Sequence, residues 1–161
     1  DDTEVELRSK EDILRRAICL AIVASHAQTP NVETGQMLLD RYNVSSYLSP
    51  KEKVFVTSSA PDQQARISMS WRYEACNVLM WALGFINSLG EPDNACDSGH
   101  LIEIISTKSY EQLLETASLR DKTTILDEAD LIYRYSWASV NSAIQQYVGD
   151  HIQTRRTFHP L

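Results

Sequence analysis

Apolar residues recur along this chain three and four positions apart, which is the spacing of one face of an α-helix. The first such segment follows Ser9, a residue type that caps helix N-termini. Ser49 is followed three positions later by Glu52, and Ser109 by Gln112, which are the spacings of a capping box. Only five glycines and five prolines occur in 161 residues, which disfavours a turn-rich all-β fold. These signals predict helices that begin directly after each of the three serines.

Two segments are predicted to form the longest helices. Residues 65–89 contain a stretch, 78–86, that is apolar on nearly every side, as in a helix buried within a bundle. Residues 123–148 place apolar and small side chains along one stripe. We therefore predict an all-α fold, a single compact helical bundle with two long, largely buried helices. The prediction is of one domain over residues 1–161, ordered from about 9 to 149, with Trp81 and Leu83 in its core.

Charge and cysteine content restrict the possible partners and setting. The chain has 15 basic and 22 acidic residues, a formal net charge of −7. This balance disfavours nucleic-acid binding, which needs clustered Lys and Arg, and suits a basic partner.

The three cysteines, at positions 19, 76 and 96, form neither a C-x-x-C motif nor an even set, so we expect a reducing, cytoplasmic setting. The longest uncharged runs are shorter than the roughly 18 residues of a membrane span, so no membrane segment is predicted.

Charged residues interrupt both of the longest predicted helices. Arg72 and Glu74 lie toward the start of the most apolar predicted helix, and Asp127, Asp130 and Arg134 share a face of the last helix. Buried charges are costly unless they are paired. We therefore predict an interhelical polar network, which either fixes the packing or lines a candidate pocket, and we favour the structural role. Its members are Arg15, Arg72, Glu74, Asp127, Asp130 and Arg134. The alternative for the last helix is a solvated face whose charges pair with one another.

The same carboxylates permit an enzymatic alternative. Glu74, Asp127 and Asp130 are oxygen ligands of the kind that Mg²⁺ and Mn²⁺ prefer. However, the chain lacks the Glu-x-x-His pairs of di-metal bundles, and its four histidines are scattered. It also lacks a P-loop and a nucleophile motif. We therefore predict no catalytic residue, no metal site and no cofactor, and keep a metal- or pocket-dependent enzyme using these three carboxylates as the alternative.

Five blocks in a fixed order resemble the bacterial domain-of-unknown-function family DUF4272. They lie between residues 8 and 138 and include S-W-R-Y-E-A at 70–75, L-M-W-A-L-G at 79–84 and I-L-D-E-A-D-L-I-Y-R at 125–134. The resemblance implies a helical bacterial domain and brings no activity with it. The block that follows the last long helix in this family is divergent or absent in residues 155–161.

The acidic charge and the lack of catalytic spacing together favour binding over catalysis. We expect a non-catalytic protein-binding module with a protein partner. One concrete form is an acidic inhibitor or immunity-type protein that covers a basic partner, because complementary charge accelerates association.

Overall fold

The computed structural model describes residues 6–90 and 94–157, with side chains as far as residue 141. The regular elements of this part of the chain are all helices, so the predicted all-α class is confirmed. They are α1 (Lys10–Gln28), α2 (Val32–Tyr42), a 3-10 helix (Ser45–Tyr47), α3 (Pro50–Val56), α4 (Gln63–Ser70), α5 (Arg72–Ala82), α6 (Ser98–Ser106), α7 (Tyr110–Thr116) and α8 (Lys122–Thr157).

The three predicted helix starts are confirmed, and each of the three serines is the N-cap residue of its helix. Ser9 caps α1 by accepting a hydrogen bond from the backbone N–H of residue 12. Ser49 and Glu52 form a reciprocal capping box at the start of α3, and Ser109 and Gln112 form another at α7. These short-range signals therefore position α1 and α3, the two helices joined by the ion pair between Arg16 and Glu52.

Contacts divide the chain into two units, Asp1–Arg120 and Asp121–Leu161. Within the first unit, α1 packs against every other helix and against the 3-10 helix. The predicted burial of Trp81 and Leu83 is confirmed. The largest fully buried apolar side chains of this unit include Leu14, Ile18, Met80, Leu83, Leu101 and Leu113. The single-domain boundary over 1–161 stays a prediction.

The helix predicted over 65–89 is two helices, α4 and α5, which meet at Trp71. α5 ends at Ala82 because Gly84 has a φ of +78°, a left-handed conformation that favours glycine. The backbone N–H groups of Gly84 and Phe85 donate to the carbonyls of Trp81 and Met80, which is the pattern of a Schellman motif. Val78 is 41% exposed, so the stretch 78–86 is not buried on every side.

The second unit contains α8, which continues through Gly149 and so extends beyond the predicted end at residue 148. The described side chains of α8, through residue 141, are half-buried or exposed rather than buried as predicted. In its described residues this unit is one helix, which offers no second element of its own to cover an apolar stripe. No helix in the described part of the chain is both long and apolar enough to cross a lipid bilayer.

Candidate functional site

A buried carboxylate joins three helices of the first unit. The side chain of Glu52, in the first turn of α3, is 0% exposed. Its Oε2 and Oε1 accept hydrogen bonds from Nη1 and Nη2 of Arg16 on α1, at 2.7 and 2.9 Å. Nε of Arg72, at the start of α5, lies 3.1 Å from Oε1 and forms an ion pair. One carboxylate therefore holds two guanidinium groups from different helices.

Glu52 reaches this position because of the capping box. The backbone N–H of Ser49 donates to Oε2 of Glu52 at 2.9 Å, which turns the side chain back toward the start of α3. Burial alone would raise the pKa of Glu52, but the hydrogen bonds from Arg16 and Ser49 and the charge of Arg16 outweigh it. The pKa is lowered to about 2, so the carboxylate is ionised at neutral pH.

A second set of polar contacts surrounds Tyr47, which follows α2 in the 3-10 helix. Its hydroxyl donates to Oδ1 of Asp12 at 2.8 Å, and its carbonyl accepts from Nη1 of Arg16 at 2.7 Å. Arg15 lies over the ring of Tyr110, with its guanidinium carbon 5.0 Å from the ring centre. The hydrogen bonds of Tyr47 and Ser9 to Asp12 lower the pKa of its carboxyl group. Asp12 is therefore also held in its charged form.

An open cleft of about 470 Å³ lies beside these contacts, between the start of α1, the 3-10 helix and α5. The Arg16 side chain is 32% exposed, so it belongs both to the Glu52 ion pair and to the surface of the cleft. Arg8 is an exposed residue at the same cleft. The lining residues are Arg8, Asp12, Arg16, Ser46, Tyr47 and Ser49 on the polar side and Ile13, Leu48 and Leu79 on the apolar side. We refer to this feature as the arginine cleft.

The residues predicted for the polar network are distributed over several contacts. Arg72 pairs with Glu52, and Arg15 contacts tyrosines. The Glu74 carboxylate accepts a hydrogen bond from the backbone N–H of Cys96 at 2.8 Å. In α8, Asp130 and Arg134 form an exposed ion pair of 2.7 Å, as in the self-paired alternative. Asp127 is exposed on the same helix. One network that joins all six residues stays a prediction.

Sequence reasoning missed Glu52 as a site residue. The capping-box spacing from Ser49 already explained why a glutamate occurs at position 52. That spacing gives no indication that the side chain is buried. A usable signal was Arg16, a charged residue between Leu14 and Ile18, both of which are fully buried. Because a buried charge is costly unless it is paired, a charge at such a position favours an acidic partner from another element.

The described residues contain no group of three or more His, Cys, Asp or Glu side chains arranged to hold a metal ion. The arginine cleft instead presents guanidinium groups and hydroxyls. Guanidinium groups bind carboxylates and phosphates through paired hydrogen bonds. These groups allow the cleft to contact an anionic group by charge and hydrogen bonding.

Comparison with known proteins identifies a family. A family model described as Domain of unknown function (DUF4272) matches residues 1–156, which is nearly the whole chain. Neither a curated protein nor a solved structure matches the chain significantly. The match extends the resemblance seen between residues 8 and 138 in both directions. The chain therefore belongs to the DUF4272 family, whose function is unknown.

Proposed function

We propose that this chain is a non-catalytic protein-binding module and that the arginine cleft is its binding site. The observation that carries the proposal is an open cleft beside charged side chains that the fold holds in place. Its volume of about 470 Å³ falls within the roughly 300–1,000 Å³ of ligand pockets. Arg and Tyr, which contribute disproportionately to protein interfaces, both line it.

The protonation states of the cleft support binding rather than acid–base catalysis. A general base works best when its pKa lies near the operating pH. The pKa values of Glu52 and Asp12 are both lowered, which moves them away from neutrality. Both carboxylates are also engaged in hydrogen bonds with Arg16 or Tyr47. They are therefore fixed charges that orient other groups.

An inhibitor or immunity-type role toward a basic partner is supported by the net charge of −7 alone. Most of that charge belongs to the first unit, in which 17 acidic residues stand against 11 basic ones. The arginine cleft has the opposite local character. The acidic surface of the chain suits a basic partner, whereas the arginine cleft suits an acidic group.

Selection of peptides from a randomised display library tests the proposal even though the partner is unidentified. Peptides are selected on the parent protein and then measured against Ser46→Trp, which places an indole at the cleft lining. Ser45→Trp is the matched control, because Ser45 is exposed on the same 3-10 helix and does not line the cleft. We expect peptides that bind the parent and Ser45→Trp and lose binding to Ser46→Trp. The proposal fails if no selected peptide distinguishes the two variants.

A further inference from the structure

We propose that the arginine cleft recognises a peptide segment in which a carboxylate side chain lies next to an apolar side chain. This inference rests on the proposed function and goes further by naming the chemistry of the bound segment. The bound peptide is thus expected to be acidic at the cleft, although the protein itself has a net negative charge. Three features of the cleft support it: its local charge, its available donors and its apolar wall.

The local charge of the cleft lining is positive. Two arginines, Arg8 and Arg16, line the cleft together with one carboxylate, Asp12. Behind Arg16, the buried Glu52 carboxylate also pairs with Arg72. The lining thus carries one positive charge more than it has negative ones, although the whole chain has a net charge of −7. An anionic group that enters the cleft would therefore compensate this excess positive charge.

Arg16 is both immobilised and able to accept a further partner. A guanidinium group has five N–H donors, of which Arg16 gives two to Glu52 and one to the carbonyl of Tyr47. Two donors remain for a ligand on a side chain that is 32% exposed. Because Glu52 already fixes the guanidinium, a bound carboxylate incurs little additional loss of side-chain entropy at Arg16.

The apolar wall distinguishes a peptide from a simple anion. Ile13, Leu48 and Leu79 line the cleft together with its charged residues. A small inorganic anion would contact the guanidinium groups and leave this wall in water. A carboxylate beside an apolar side chain would occupy both parts of the cleft, and it would bury apolar surface at about 25 cal/mol per Å².

The peptides selected on the parent and lost on Ser46→Trp provide the probes. We expect them to be enriched in Asp or Glu adjacent to an apolar residue. Replacement of that acidic residue by its amide should weaken binding at least about tenfold, the effect of losing one charge-assisted hydrogen bond of about 1.4 kcal/mol or more. Arg8→Gln should weaken the acidic peptide about as much. Arg41→Gln, which removes an exposed arginine of α2 away from the cleft, should leave its affinity unchanged.

The possible outcomes separate this inference from the proposed function. Cleft-dependent peptides that are neutral or basic, or that bind equally well as amides, would overturn the carboxylate preference and leave the binding module in place. Displacement of the acidic peptide by inorganic phosphate at an equal concentration would overturn the apolar half of the inference. The absence of any cleft-dependent peptide would overturn both proposals.

Discussion

At the scale of single residues, Glu52 combines two roles that usually belong to different side chains. It completes the capping box of α3 with Ser49, and it forms ion pairs with Arg16 and Arg72 on two other helices. A helix start and a tertiary contact therefore depend on the same carboxylate. This coupling connects the local geometry of α3 to the position of the guanidinium groups at the arginine cleft.

Replacing Glu52 with Gln should destabilise the protein substantially. Removal of one partner from a buried ion pair costs about 3–5 kcal/mol, and we expect the lower end because both arginines reach solvent. Asp130→Asn is the control, since its pair with Arg134 is exposed and such pairs contribute about 0–1 kcal/mol. Urea denaturation measures both free energies of unfolding. Equal losses in the two variants would contradict the assignment of Glu52 as the buried anchor.

The same residue should make stability depend on pH in the acid range. The pKa of Glu52 is lowered from 4.5 to about 2 in the folded protein, so the unfolded chain binds the proton more readily. Its stabilising contribution is present in full above about pH 4.5 and is lost as the pH falls through about 2. The difference in unfolding free energy between the parent and Glu52→Gln should therefore shrink below pH 4.5. A difference that stays constant from pH 6 to pH 2.5 would contradict this expectation.

At the scale of helices, three starts were predictable from the local sequence and the end of α5 was not. The caps at Ser9, Ser49 and Ser109 are signals between residues three positions apart, so the local sequence contains them. The end of α5 depends on Gly84 together with distant residues. The Arg120 side chain donates to the carbonyls of Trp81 and Ile86, and the backbone N–H of Ser118 donates to Leu83. The cluster around Glu52 also joins separate helices, so spacing could not predict it.

Two glycine substitutions test the end of α5. Gly84 and Gly90 both have φ near +78°, where a side chain costs roughly 1–3 kcal/mol. A Cβ at Gly84 would also lie 2.9 Å from the carbonyl oxygen of Ser118, whereas a Cβ at Gly90 would meet no atom within 4 Å. Thermal melts should therefore show a greater loss for Gly84→Ala than for Gly90→Ala. Equal decreases in melting temperature would mean that the backbone around Gly84 shifts enough to remove the close contact with Ser118.

At the scale of the whole molecule, α1 organises the first unit. Eleven of its 19 residues are buried, and every other helix of that unit packs against it. Long-range hydrogen bonds also connect segments of this unit. Nζ of Lys10 on α1 donates to the carbonyl of Ala117, and the hydroxyl of Tyr42 on α2 donates to the carbonyl of Ile105 on α6. Opening α1 therefore requires the separation of contacts with all of its neighbours.

Hydrogen exchange should reflect this organisation. Backbone amides in the middle of α1 should exchange most slowly, because their exposure approaches global unfolding of the first unit. The amides of α2 should exchange sooner, since only Gly35, Leu39 and Tyr42 are buried in that helix. Exchange followed by mass spectrometry at peptide resolution can rank the two helices. Faster exchange in α1 than in α2 would contradict its central role.

The central position of α1 also affects how the protein is made. The ribosome synthesises α1 before the helices that cover it, and α7, which packs against it, ends at Thr116. At about 5–20 residues per second, the nearly 90 residues between Gln28 and Thr116 require roughly 5–20 s. During that interval α1 lacks those native neighbours that have not yet been made. Part of the apolar surface of α1 therefore stays exposed until the last of its neighbouring helices has been made.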